Sequence, residues 1–295
     1  MNQQQIYSMI EESIIYQLEN GIIPWKRCYH VSQGDWCISH QTKKGYSMLN
    51  QFLLSEPGEY WTFEQCKKEG FSLRKGCKSR KVVFWKILEK ESGNDDGEIH
   101  TKNIPFLKYY NVFHESDIVG LPPKPLKGIS QEDRERRNAE SILKADEIVE
   151  NYLTANPDIR LITSDRTPCF IPSQNTISMP EKCQFDSLNE YYSTIFHEMI
   201  HSTRKKVNRE RLDGIEGRSR EELVAEIGAA FLCGNAGIES EDVIKNNSAY
   251  CAGWLQALRN NIKMLIWAAS RSERAANYIL GKVNSEGEEV QHDSL

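Results

Sequence analysis

The chain has 295 residues, a formal charge of −5 and 39% hydrophobic residues. That length allows one large or two modest domains with real cores, and no apolar run is long enough for a transmembrane helix. The opening Met1-Asn2-Gln3-Gln4-Gln5 lacks a basic n-region and an apolar h-region, so no secretory signal is expected. Eight cysteines without a Cys-x-x-Cys pair fit a reducing cytoplasm, not a disulfide framework or zinc ribbon.

The pattern predicts an amphipathic helix over residues 4–20, with Ile6, Ile10, Ile14 and Leu18 at four-residue spacing and a stop at Gly21. Strand-like runs follow at Lys81–Leu88 and Tyr109–Phe113, with a polar tip between them at 92–98. Charge is uneven. Residues 61–90 hold nine basic and three acidic side chains. Cations interleave with flat rings there, as single-stranded nucleic acid requires. Candidate contacts are Trp25, Lys26, Arg27, Tyr46, Trp61, Phe63, Arg74, Lys75, Lys78, Arg80, Lys81 and Trp85. Alternation over Lys81–Lys86 puts Phe84 and Trp85 on opposite faces, which implies that one of them is not core.

Three prolines in 122–125 deny both helix and central strand, and mark a linker over 122–130. The expected organisation is a first domain over 1–121, a second over 131–281 and a polar tail over 282–295. In the second domain the expected order is a helix at 131–154, strands at Ile159–Thr163 and Cys169–Met179, and then three helices. The first of these helices runs from Leu188 to Lys206 behind Ser187 as N-cap. The second spans 219–232, with Ser219 as N-cap and Gly234 as stop, and the third spans about 248–269. The edge of the small sheet is expected to hold an extended peptide by backbone pairing.

The chemistry lies in His197-Glu198-Met199-Ile200-His201. Two histidines four apart on a helix share one face and can hold one cation, with Glu198 beside them as general base. A catalytic zinc site takes three protein ligands and leaves a position for water. Glu222 is the expected third ligand, and Glu226, one turn on, the expected acceptor for a histidine N–H. Glu221 and Glu226 are alternative ligands, and a Ser219–Glu222 capping box is a competing use of that glutamate. Tyr191, Tyr192 and Tyr250 are candidates for stabilising an oxyanion. Manganese or cobalt could replace zinc.

The first half resembles the single-strand DNA-binding domain of ArdC-type antirestriction proteins. The resemblance rests on Gly21-Ile22-Ile23-Pro24-Trp25, Gly45-Tyr46 with Asn50, Trp61-Thr62-Phe63, Arg74-Lys75-Gly76, Val82-Val83-Phe84-Trp85 and Tyr110-Asn111-Val112-Phe113. The second half resembles the zincin-like metallopeptidase domain of that family, through Ile177-Ser178-Met179-Pro180, the His197–His201 motif and Glu221 through Leu232. Where the family has Tyr-Arg-Gly-x-Asn, this chain has Tyr46-Ser47-Met48-Leu49-Asn50.

The resemblance implies an α+β first domain and a mostly helical second one with a small sheet. It also implies a cytoplasmic protein of a mobile element, with Asn50 among the DNA contacts, a single zinc ion, single-stranded DNA as partner and an unidentified protein or peptide substrate. Three functions follow: a DNA-tethered peptidase, a single-strand shield with a non-catalytic zinc site, and a peptidase that clears DNA-crosslinked proteins.

Overall fold

The structure is a computed structural model and describes residues 3–25, 37–54, 56–93, 99–122, 131–209, 214–238 and 247–282. Helix α1 (Gln3–Glu19) buries Ile6, Ile10, Ile14 and Leu18. The chain leaves it through Gly21, whose positive φ of 73° suits a residue without a Cβ. Strand β1 (Cys37–Ser39), helix α2 (Met48–Leu54), strand β2 (Gly58–Trp61) and helix α3 (Phe63–Lys68) follow. Thr62 and Gln65 close a reciprocal capping box at the start of α3.

After β3 (Ser72–Leu73), the two strand-like runs form one long antiparallel hairpin, β4 (Arg80–Gly93) and β5 (Ile99–His114), with β6 (Ile118–Val119) behind it. The main sheet runs β1-β2-β5-β4, and β3 pairs separately with β6.

β4 is therefore an edge strand, and Asn50 completes its edge. The Asn50 amide donates to Val83 O at 2.8 Å and accepts from Val83 N at 2.7 Å. It does from α2 what a neighbouring strand would do. Asn50 has no exposed surface, so its expected contact with DNA is corrected: burial and the two main-chain bonds commit the side chain to the sheet.

The second half begins with α4 (Gln131–Ala155) and a three-stranded sheet, β7 (Arg160–Thr163), β8 (Cys169–Ile171) and β9 (Thr176–Met179), in the order β7-β9-β8. The expected single strand Cys169–Met179 is a hairpin, turned at Asn175 with φ of 49°. Helices α5 (Leu188–Ser202), α6 (Gly214–Ala236), α7 (Asn247–Asn260) and α8 (Ile262–Ile279) complete the chain. Ser187 caps α5, accepting from Glu190 N at 3.1 Å.

Three expected boundaries move. α5 ends four residues short of Lys206, α6 starts at Gly214 rather than behind Ser219, and the helix expected over about 248–269 breaks at Asn261. Ser219 therefore lies inside α6, and the capping-box role for Glu222 falls. α6 buries Leu223, Val224, Ala225, Ile227, Ala229, Leu232, Cys233 and Ala236; it is a core helix, apolar around most of its circumference. No helix among the described residues is long and apolar enough to cross a membrane.

The main hydrophobic core runs across the expected domain boundary. It joins Ile6, Ile10, Trp25 and Phe52 to Leu223, Leu258, Met264 and Ile279. Trp25 packs edge-on against Phe52 at 6.2 Å and Trp254 at 5.7 Å. The proline-rich stretch 123–130 and residues 283–295 of the expected tail lie outside the described residues.

Replacing Asn50 by alanine strands a buried N–H and C=O of Val83. Asn50→Ala should lower unfolding free energy by about 1–3 kcal/mol, read from the midpoint of a urea titration.

Candidate metal centre

The middle turns of α6, from Glu221 to Gly228, pass α5 beside its histidines. Gly228 makes that approach possible. A Cβ built on it would lie 2.6 Å from Ile200 Cδ1 and 2.8 Å from Cγ1, too close for any side chain without a shift. Ile200 is itself wholly buried and directly precedes His201, so the close contact lies next to the donors.

There the side chains converge. His197 Nε2 and His201 Nε2 are 3.1 Å apart. Glu222 Oε2 lies 3.3 Å from His197 Nε2, and Oε1 lies 3.7 Å from His201 Nε2. Donors bound to one tetrahedral ion at ~2.0–2.1 Å stand about 3.3 Å from each other. The observed spacings bracket that value, so the donor set fits a divalent cation. His197, His201 and Glu222 form such a group among the described residues. Glu221 faces another way, which leaves three protein donors and room for water.

The acceptor at His201 is Glu221. His201 Nδ1 donates to Glu221 Oε1 at 3.2 Å, fixing the tautomer with Nε2 free for a cation. Glu226 was expected in that role. It is half-buried one turn further along α6 and is not part of the cleft lining. Glu221 and Glu222 already meet the two histidines, and residue 226 lies a further turn along α6.

Charge follows the geometry. Burial works against a charged His201, but its hydrogen bonds to Glu221 and Glu222 outweigh it and carry its pKa up to about 9. Hydrogen bonds from His197 and His201 hold Glu222 well below the usual carboxylate range. Burial would raise Glu221, but its bonds to His201 and Arg209 keep it low. Proton and cation thus compete for the same imidazole nitrogen.

Glu198 is 8% exposed and lines a cleft of about 390 Å³ with the two histidines, Glu222 and Arg204. Its Oε2 accepts from the main-chain N–H of Phe170 at 2.6 Å. Phe170 is the middle residue of edge strand β8, flanked two positions away by Pro168 and Pro172. Prolines donate nothing, and the N–H between them is held by Glu198. This edge can accept hydrogen bonds from a peptide but cannot form the two-way ladder expected for it.

The tyrosines expected at an oxyanion are otherwise engaged. Tyr192 is buried, bonded to Asp146 and to Lys182 Nζ, the latter at 2.7 Å. Tyr191 is buried edge-on between Phe185 and Tyr192, and the side chain of Tyr250 lies outside the described residues. Arg204 and the Phe170 N–H were not foreseen. Neither a lone arginine past a helix end nor a main-chain group carries a sequence signal.

The expected DNA residues divide. Trp25 (0% exposed), Tyr46 (5%) and Trp61 (4%) are core, so their expected stacking on bases is corrected: each ring is already packed against protein. Tyr46 meets Tyr60 edge-on, and Trp61 stacks on His40. Arg80 is half-buried and paired with Glu56 and Asp117. Phe63 is 55% exposed on α3, and Arg74, Lys75 and Lys78 are exposed around the turn between β3 and β4. Lys81 is half-buried. Lys26 and Arg27 lie outside the described residues, as does the side chain of Trp85.

Residues 4–113 match the family model for the N-terminal domain of the anti-restriction factor ArdC, and residues 147–271 match that of a zincin-like metallopeptidase. The chain is of the ArdC type. Two crystal structures of the antirestriction protein ArdC from plasmid R388 share its fold at 24% identity. The metal-free form has a TM-score of 0.67 over 93% of this chain and 96% of that one. The Mn(II)-bound form has 0.69 over 95% and 98%.

Two Escherichia coli proteins named DNA primase TraC are 29% and 28% identical over 301 residues, 93% of this chain in each case. This chain spans only 20% and 27% of their lengths. Protein y4eC of Sinorhizobium fredii is 24% identical over 93% of this chain and 91% of its own length.

Filling the Gly228 contact tests the convergence. Gly228→Val should cost about 1–3 kcal/mol from overpacking and weaken metal binding, read by thermal unfolding and by titration with Zn(II). Unchanged affinity would show that the helices need not approach this closely.

Proposed function

We propose that the protein binds single-stranded DNA and carries a zinc-dependent peptidase site, and that it protects incoming mobile-element DNA against restriction. The observation that carries the peptidase half is the convergence of His197, His201 and Glu222 with Glu198 at one cleft. The Mn(II)-bound ArdC relative supports a divalent ion in the same fold. Zinc suits the two-imidazole, one-carboxylate donor set.

His197, His201 and Glu222 would hold the ion, which when bound supplies Lewis acidity to a carbonyl and lowers the pKa of water. Glu198 is the general base: it takes the proton of the attacking water and returns it to the leaving amine. The Phe170 N–H fixes Oε2 and leaves Oε1 for that transfer. Arg204, at the same cleft, is the candidate for the charge that develops on the carbonyl oxygen.

The DNA-binding half rests on the match to the ArdC N-terminal domain and on the exposed Arg74, Lys75 and Lys78 with Phe63 nearby on α3. α3 packs against β3, so the ring and the cations belong to one small unit. Phosphates meet the cations and a base can stack on the ring.

One observation favours the shield reading, in which the ion has no catalytic use. The edge of β8 has no unengaged donor among Pro168, Phe170 and Pro172, so a peptide has few main-chain holds beside the ion.

The deciding comparison is Zn(II)-loaded wild type against Glu198→Gln on an unfolded protein such as casein. The variant should keep Zn(II) and lose at least about 100-fold in cleavage rate. Undiminished cleavage removes Glu198 as base, while inert wild type with intact DNA protection favours the shield.

For DNA, filter binding of an oligonucleotide across salt should show affinity falling as salt rises. Lys75→Ala with Lys78→Ala should flatten the log–log slope by about 0.7 per lost contact. An unchanged slope takes phosphates away from this turn.

A further inference from the structure

Arg209 follows α5 in a polar stretch that no helical period singles out. Its side chain is wholly enclosed. Nε donates to Glu221 Oε2 at 3.0 Å and Nη2 to Oε1 at 2.7 Å, a two-pronged grip on one carboxylate. The same fork donates from Nη2 to Ile200 O at 3.0 Å and from Nη1 to Thr203 Oγ1 at 3.2 Å. One guanidinium therefore ties the last turn of the histidine helix to Glu221 of α6.

Two neighbouring acids, Glu221 and Glu222, lie within reach of the histidines, and each is chemically able to serve as ligand. The arginine treats them differently. It occupies both oxygens of Glu221, and Glu222 approaches the two Nε2 atoms.

We propose that Arg209 is a positioning residue that decides which glutamate is the ligand. It holds Glu221 against His201 Nδ1, which presents His201 Nε2 to the ion, and it leaves Glu222 as third donor. Without the guanidinium, Glu221 is a largely enclosed carboxylate with one histidine for company, free to turn toward the ion or away from it. The inference rests on the metal-centre reading of His197, His201 and Glu222.

The test is Zn(II) titrated calorimetrically into wild type, Arg209→Gln, Arg209→Lys, Glu221→Gln and the Arg209→Gln/Glu221→Gln double variant, with unfolding temperature measured on each metal-free protein. Arg209→Gln and Glu221→Gln should each weaken Zn(II) by about 10–100-fold. Because the two act in series, the double variant should be no weaker than the weaker single one. Arg209→Lys, with its charge but no fork, should fall between wild type and Arg209→Gln.

A mere brace at the end of α5 would lower the unfolding temperature and leave Zn(II) affinity of the folded protein unchanged; that result overturns the proposal, as do fully additive losses. If Arg209→Gln does not fold, Glu221→Gln carries the test alone, and unchanged affinity there overturns it. Wild type that fails to bind Zn(II) would instead overturn the metal centre itself, and this inference with it.

Discussion

Glu222 can meet two histidines on another helix only because α5 and α6 touch where one of them has no side chain. The contact between Gly228 and Ile200 sets the distance between the helices, and that distance places the donors. Other features hold the two helices at this spacing. α8 packs along α6, where Ser272 Oγ donates to Val224 O at 2.9 Å, and β9 lies against α5. The apolar faces of α6 make this crowding favourable, since nearly every residue after Glu222 is buried on some side.

Two turns into α6, Glu221 and Glu222 line the cleft. Their neighbours Leu223, Val224 and Ala225 are completely buried. Charge is thereby concentrated at the site, where His201 and the Arg209 guanidinium face the Glu221 carboxylate.

The two histidines and Glu198 could be read directly, because a four-residue spacing on a helix fixes geometry without knowledge of the rest of the fold. Glu222, on another helix, was legible only as one of three glutamates, and packing selects it. α1 was equally legible from its isoleucines. Ser219 looks like a cap when helix continuity upstream is ignored, which misplaces the start of α6. Glu226 shares a face with Glu222 at four-residue spacing, but the carboxylate that reaches His201 Nδ1 is the adjacent Glu221. The aromatic residues of the first half were misread for another reason. Composition counts Trp25, Tyr46 and Trp61 as flat surfaces, and only tertiary packing decides whether a ring faces solvent or protein. Asn50 shows the limit most clearly: an amide that looks like a nucleic-acid contact is a surrogate strand for the edge of β4. Arg209 lies outside any periodic pattern, so its contact with Glu221 exists only in three dimensions.

The hydrophobic core that crosses from α1 and Trp25 to α7 and α8 also bears on how such a protein could be divided. Trp25 meets Trp254, and the Glu19 carboxylate meets Arg259 at the same seam. Severing the chain at its proline-rich stretch would leave each fragment with a greasy, indole-lined scar in place of a finished outer surface. The halves share one hydrophobic core, and packed side chains run from the first without a break to the helix that carries both histidines.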